Sequence, residues 1–547
     1  MQLSRPSIGA TALGLFATAW ITFAVNPVFW AKVSDGFGDH LAGMAAFSIG
    51  IVALTACALI GVSVKYLIKP LYIFLFISAA ASSWFMQQYG VIIDTGMIRN
   101  AAETTRSEAG HLLSPAFLVH MTFYGLLPSM AVMLVRVRHR PIAAKVKHNL
   151  FIIIPLLALT TALAVWQFPA IASTLRNNKL IIKTLNPLTP IASTVKYAVR
   201  SGQERTIVAA PLDTDATLGE TAAKASKPVL TVIVVGETAR AQDFSLGGYK
   251  RKTNPNLEKQ NIAYFSNTTS CGTATAASVP CMFSRLTRSQ YSHDKGLAEE
   301  NLLDVLRHAG LKVTWWENNT GDKKVAARIE SRNFSVENDP AYCVDNECRD
   351  EVMVAALGQW LDGVSGNSTL VIHQLGSHGP AYYARYSDDE RMFQPDCRTS
   401  EFADCSAQEI RNAYDNTIIA TDRMLSEIID QLDARGDRLA STMIYMSDHG
   451  ESLGENGLYL HGMPYLFAPD EQTRIPFLMW ISRSYADIFG FDAKCLRRQA
   501  TAPFSHDNLF HTVLGLMDVE APHYDPDLDV TARCRAPQGQ GLESRSP

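Results

Sequence analysis

Three apolar runs each end in residues able to do chemistry. VIVV (232–235) is followed by Gly236, Glu237, Thr238, Ala239 and Arg240. TLVIHQ (369–374), which itself contains His373, leads into Leu375, Gly376, Ser377, His378, Gly379 and Pro380. TMIYM (442–446) leads into Ser447, Asp448, His449, Gly450 and Glu451, and His461 follows twelve residues after His449. Carboxylates and imidazoles from separate parts of a chain are the donors zinc takes, a borderline-soft ion that accepts both nitrogen and oxygen. Each residue alone has an ordinary reading: a loop histidine, an Asp capping a helix, an exposed Glu in a turn. Their recurrence after apolar runs, with glycines that permit close backbone approach, favours a shared site.

A fourth segment supplies hydroxyls: Ser270, Cys271, Gly272, Thr273, Ala274, Thr275, then AASVPC to Cys281. Its small residues leave room for a substrate, and a helix beginning near Thr275 would aim its positive end at an anion. A hydroxyl is a poor nucleophile until a base or metal activates it. Chemistry alone leaves Thr273 and Thr275 both open.

The elements that must position these groups read as strands alternating with helices. The strand-like runs are 228–235, 311–316, 369–374 and 442–446, and helical patterns separate them at 301–308 and 413–432. That alternation predicts an α/β domain around a mainly parallel sheet, whose ligands bind beyond the carboxyl ends of the strands.

The rest of the chain places this domain. Apolar runs concentrate before about residue 168 and charge after it, so the net charge of -4 averages two environments. No basic stripe suggests nucleic acid. Five segments are long and apolar enough to cross a bilayer: 8–30, 41–64, 71–86, 115–135 and 150–168, the third with Lys69 and Gln87 at its ends. Arg5, Lys65, Lys69, Arg136, Arg138, Arg140, Lys145 and Lys147 all fall on one side of such a five-helix anchor, which predicts a cytoplasmic N-terminus. His120 in the fourth span reads as a packed histidine, and the spans hold too few polar groups for a transport path.

Eight of the nine cysteines lie after residue 270 and pair by proximity as Cys271–Cys281, Cys343–Cys348 and Cys397–Cys405, leaving Cys495–Cys534. Disulfides imply an oxidising compartment, the side that the charge rule also assigns to the domain. The division expected is an anchor over 1–170, an amphipathic bridging helix and linker over 171–226, a catalytic domain over 227–535 and a disordered tail over 536–547.

GETARAQDFSLGGYKRKTNPNL, SCGTATAASVPCMFSR, HQLGSHGPAYYARY, NAYDNTIIATD and YMSDHGESLGENGLYLHGMP resemble the lipid A phosphoethanolamine transferases of the alkaline phosphatase and sulfatase superfamily. The resemblance covers almost the whole chain. It implies an alkaline phosphatase-like periplasmic domain on a five-helix inner-membrane anchor. It implies one tightly bound zinc held by Glu237, Thr275, Asp448 and His449, with Thr275 the nucleophile. His378 and His461 match histidines that bind a second zinc or the substrate phosphate. Asn319 and Lys323 match phosphoryl contacts, and His373 another position lining the site. Asn100, Thr104 and Glu108 match residues used in handling lipid. The implied reaction moves phosphoethanolamine from phosphatidylethanolamine to lipid A, with His378 as general acid and resistance to polymyxin as the result. The chain is expected to act as a monomer among inner-membrane lipids. The alternatives are a core-sugar or glucan acceptor, a phosphoglycerol transferase, or a non-catalytic receptor. A sulfatase would need a formylglycine context that SVPCM lacks.

Overall fold

The computed structural model describes residues 6–204, 207–344 and 347–535. Arg5 and the tail 536–547, both used above, lie outside the described residues. Packing divides the chain into two compact units, Met1–Ile98 with Leu113–Arg200, and Arg99–Leu112 with Ser201–Pro547.

The first unit is helical. Leu41–Gly61, Ile68–Tyr89, Pro115–Leu134 and Ile142–Trp166 are each long and apolar enough to cross a membrane. The expected first span is instead a bent pair, Ala10–Ala24 and Pro27–Phe37, meeting at 65°. Pro27 cannot donate a backbone hydrogen bond, so the helix breaks before it. Two buried asparagines satisfy the opened backbone. Asn26 Nδ2 donates to the carbonyls of Ile21 and Asn186, both at 2.6 Å, and Asn186 Nδ2 donates to those of Val25 at 3.0 Å and Ala79 at 2.7 Å. The Asn186 N–H returns a bond to Asn26 Oδ1 at 2.9 Å. The third span runs further than its apolar core because Lys69 donates to the carbonyls of Met133 and Val135 at 2.8 and 2.6 Å, spending its ammonium on a neighbouring helix end. His120 packs between Tyr124 and Trp84, with ring centroids 4.5 and 5.4 Å away.

The second unit is built on an eight-stranded sheet. In chain order its strands are β1 (Val229–Gly236), β2 (Ile262–Thr269), β3 (Lys312–Glu317), β4 (Glu330–Asn333), β5 (Ser368–His373), β6 (Ala440–Ser447), β7 (Arg474–Ile481) and β8 (Phe504–Ser505), arranged β8-β2-β7-β6-β1-β5-β3-β4. Five of the seven pairings are parallel; β7 runs antiparallel to both neighbours. β1, β5 and β6 are buried along their whole length, which is why they read as unbroken apolar runs. β7 is harder to read because Pro476 interrupts it, at the point where its register with β2 shifts. The parallel strands end in step: Ser447 pairs with Gly236, Val235 with His373, and His373 with Glu317. The residues that follow those ends therefore emerge side by side. The structure joins Cys271–Cys281, Cys343–Cys348, Cys397–Cys405 and Cys495–Cys534, and Cys57 is free.

Candidate metal centre and nucleophile

Glu237 and Asp448 are the first residues beyond β1 and β6, and His449 follows Asp448. Donor atoms of the three lie within 4.8 Å of one another, and all three residues are buried. The turn after β1 is tight. Thr238 has a φ of 51°, and its N–H donates to Asp448 Oδ1 at 3.2 Å. Gly376 presses on the same turn with a φ of +53°; a Cβ there would lie 2.8 Å from the Glu237 carbonyl oxygen, so a side chain is excluded.

Thr275 begins the helix Thr275–Met282, behind the Cys271–Cys281 loop. Its Oγ1 donates to Glu237 Oε2 at 3.0 Å and lies 3.5 Å from His449 Nε2. Thr273 faces elsewhere, its hydroxyl donating to the Met463 carbonyl at 2.6 Å. Geometry thus separates the two threonines.

The donor set fits a divalent cation. His449 Nδ1 lies 2.9 Å from the Gly450 carbonyl, so it carries the proton and leaves the Nε2 lone pair facing Glu237 and Asp448. Glu237 Oε1 and Asp448 Oδ2 are buried with no hydrogen-bond partner. Burial, then the Asp448 charge, pushes the Glu237 carboxyl well above its ordinary value. Burial likewise raises Asp448 and holds His449 well below the usual histidine range. Two orphaned carboxylate oxygens and a lone pair, strained by like charge, are what a bound cation would relieve.

Around Thr275 a small cavity is lined by Asn100, Glu103, Thr104, Glu108, Ala276, Thr320, Lys323, His378 and His461. Lys323 donates to the Thr320 carbonyl at 2.8 Å and pairs with Glu103 at 3.0 Å. His378 Nε2 is 3.5 Å from Glu108 Oε1, and the Thr104 hydroxyl donates to the Asn100 carbonyl at 2.8 Å. Burial, with His461 and Arg385 nearby, keeps His378 well below its ordinary value. Burial also opposes charge on His461, but the Glu451 carboxylate 2.9 Å from its Nδ1 raises it. Asn319 is tied to the candidate ligand Glu237, its Nδ2 donating to Glu237 Oε2 at 2.7 Å. His373 does not line the cavity; it is fully buried behind Asn319.

Residues 51–201 match the family described as phosphoethanolamine transferase EptA/EptB, and residues 230–519 match the sulfatase family. The chain is 37% identical over 543 residues to phosphoethanolamine transferase EptA of Escherichia coli (strain K12), spanning 97% of this chain and 98% of that one. It belongs to the phosphoethanolamine transferase family. Phosphatidylethanolamine transferase Mcr-1 of Escherichia coli is 37% identical over 537 residues, 94% of this chain and 96% of its own. Among solved structures, the integral membrane lipooligosaccharide phosphoethanolamine transferase A of Neisseria meningitidis superposes with a TM-score of 0.93 at 33% identity, covering 97% of this chain and 100% of that one.

This phosphoethanolamine transferase carries four site residues that its sequence patterns did not single out. Glu103 is the counter-charge of Lys323. Glu451 holds His461 and also accepts from the Tyr382 hydroxyl at 2.6 Å. His506 links the Cys271–Cys281 loop to the end of β6, accepting the Cys271 N–H on Nδ1 at 3.0 Å and donating from Nε2 to the Ser447 carbonyl at 2.9 Å. Glu317 stands at the end of β3, a strand-end carboxylate like Glu237 and Asp448, so the same rule would have found it.

Proposed function

We propose that this chain transfers phosphoethanolamine from phosphatidylethanolamine to a phosphate of lipid A, in two displacements through Thr275. The observation that carries the proposal is the Thr275 hydroxyl set 3.0 Å from Glu237 Oε2, over three converging metal-binding donors. Similarity along nearly the full length to named phosphoethanolamine transferases supports the reaction class.

A zinc ion held by Glu237, Asp448, His449 and the Thr275 oxygen would supply the positive charge that makes this hydroxyl easy to deprotonate. Glu237 aims the hydroxyl. Thr275 Oγ1 gives its proton to Glu237 Oε2 and bonds to the phosphorus of the donor, the bond from phosphorus to the glyceryl oxygen breaks, and diacylglycerol leaves with a proton from His378. The phosphoethanolamine group then sits on Thr275. A lipid A phosphate oxygen gives its proton to His378 and attacks the same phosphorus, the bond to Thr275 breaks, and Glu237 returns the proton that restores the threonine hydroxyl. Lys323 stabilises charge on the non-bridging oxygens, where positioning and electrostatics carry most of phosphoryl transfer, and the Asn319 amide, its two N–H bonds given to Glu237 and Gln374, holds the Glu237 carboxylate in place. Asn100, Thr104, Glu108, His378 and His461 surround the donor headgroup, and the two histidines can accept a second zinc. His373 acts from behind this surface.

The location follows from the same reading. Residues 1–170 form an inner-membrane anchor with a cytoplasmic N-terminus, 171–226 a bridging helix and linker, and 227–535 a periplasmic catalytic domain. Exposed Leu188, Val195 and Val199 beside Lys196 and Arg200 suit a helix resting on lipid. Each transfer adds an ethanolamine cation to lipid A, so polymyxin and other cationic peptides bind the outer surface less well. The protein acts as a monomer. Expression in a Gram-negative host followed by mass analysis of lipid A tests the proposal. The expected result is a gain of one phosphoethanolamine group; unmodified lipid A beside a modified core sugar would overturn the acceptor.

A further inference from the structure

Glu317 is 4 % exposed and ends β3 with both carboxylate oxygens occupied. Oε1 accepts the backbone N–H of Asn319 at 2.6 Å and of Gly321 at 3.3 Å. Oε2 accepts Trp315 Nε1 at 2.9 Å and lies 3.0 Å from His373 Nδ1. Three N–H donors, from Trp315, Asn319 and Gly321, converge on this carboxyl, so it acts here as an ionised acceptor. An ionised carboxylate only accepts, so His373 carries its proton on Nδ1 and presents a lone pair on Nε2. That lone pair faces Asn319 Nδ2 at 3.3 Å.

We propose that Glu317 is a positioning residue for the transfer: by fixing the tautomer of His373 and the turn 318–321, it makes Asn319 present its amide nitrogen to Glu237. The proposal rests on Glu237 and Thr275 forming the reactive centre assigned above. Asn319 is held in one sense on every side. Its Oδ1 accepts the Thr320 N–H at 2.7 Å, and its Nδ2 donates to the Gln374 carbonyl at 2.8 Å and to Glu237 Oε2 at 2.7 Å. A proton on His373 Nε2 would meet that nitrogen donor to donor. Turning the amide over to escape would set Asn319 Oδ1 against Glu237 Oε2, the oxygen that also orients Thr275. Glu317 therefore reaches the nucleophile through three intervening side chains, His373, Asn319 and Glu237, and touches neither substrate nor metal.

The substitution that isolates this role is Glu317→Gln, which keeps the shape but gives His373 Nδ1 a donor and so moves the proton to Nε2. In the zinc-loaded full chain, kcat should fall by about 10- to 100-fold, the range for partners that orient metal ligands, with KM for the donor nearly unchanged. Asn319→Ala should cost a similar factor, and the double variant no more than either single change, because both remove one interaction. Losses that multiply in the double variant would overturn the proposal, as would a wild-type kcat in Glu317→Gln. His373→Phe, which deletes the lone pair without touching the strand end, serves if Glu317→Gln does not fold; it should match Asn319→Ala, and a wild-type rate would again overturn the idea. The tautomer is also readable without turnover. Imidazole 15N shifts, assigned by difference with His373→Gln, should show Nδ1 protonated in the wild type and Nε2 protonated in Glu317→Gln. A wild type protonated at Nε2 would end the inference even if transfer is confirmed, whereas a chain that fails to transfer from phosphatidylethanolamine but shows Nδ1 protonated would fail the functional reading alone.

Discussion

The Thr275 hydroxyl donates to Glu237 Oε2 at 3.0 Å, while Glu237 Oε1, buried in the same carboxylate, has no hydrogen-bond partner. One oxygen orients the proposed nucleophile and the other is left for a cation, so orientation and activation would meet in one side chain. Thr275→Ala should lower transfer by at least about 10³-fold, as removal of a nucleophile does, while metal content stays near that of the wild type. Thr273→Ala removes only a buried bond to the Met463 carbonyl. It should cost about 1 kcal/mol of stability and leave most activity. Equal loss from both variants, measured as turnover on a fluorescent phosphatidylethanolamine, would mean that the register of the loop is wrong.

The crowding of Glu237 and Asp448 gives metal removal a defined signature. Chelation should abolish transfer and lower the melting temperature, and added zinc should restore both. With metal at 1,000 times its dissociation constant the stabilisation is about 4 kcal/mol. Asp448→Asn removes one of two buried like charges whose carboxyls burial holds above their ordinary values. That variant should melt no lower than the wild-type apoprotein, yet gain almost nothing from zinc. A full zinc response in Asp448→Asn, read by calorimetry, would remove Asp448 from the ligand set.

Sequence order made the buried strands and the residues beyond their ends readable for one physical reason. β1, β5 and β6 are covered on both faces, so no carboxylate, lysine or arginine interrupts them, and Glu237, His378, Asp448 and His449 follow as abrupt changes of residue type. The antiparallel strand β7 and its neighbour β2 lack that contrast. β2 alternates buried and half-exposed residues, and β7 contains a proline at its bulge, so both resemble loops. Thr275 could not be told from Thr273 by type, since only the folded loop shows which hydroxyl faces Glu237. Glu103 and His506 were invisible for a different reason. Their roles come from partners 220 and 235 residues away in the chain, Lys323 and Cys271.

Asn26 and Asn186 test the broken first span. Their mutual bonds and those to Ile21, Val25 and Ala79 replace helix hydrogen bonds that the bend before Pro27 removes. Asn26→Ala leaves the Asn186 backbone N–H and carbonyl without these partners in an apolar surrounding. It should destabilise the helical unit by about 1–3 kcal/mol, measured by thermal or denaturant unfolding of the full chain in detergent. Asn26→Ala with unchanged unfolding would show that water or lipid headgroups satisfy the bend instead.

His506 gives the catalytic unit a pH dependence whose sign can be worked out. Burial lowers its pKa from 6.5 to about 4, and Nδ1 cannot take a proton without giving up the Cys271 N–H. The unfolded chain protonates this group near 6.5, whereas the folded chain holds it neutral to about 4. Its contribution to stability is therefore complete above pH 6.5 and is lost as pH falls toward 4, amounting to about 3 kcal/mol across the window. Asp422, whose carboxyl burial raises to about 6, titrates nearby with the opposite sign but is common to wild type and variant. The difference between wild type and His506→Gln thus isolates the histidine. Unfolding free energy measured between pH 7 and pH 4.5 should fall more steeply in the wild type, by about 2 kcal/mol, and activity should fall with it as the Cys271 loop loses its tie to Ser447. Parallel pH profiles would show instead that His506 is protonated in the folded protein.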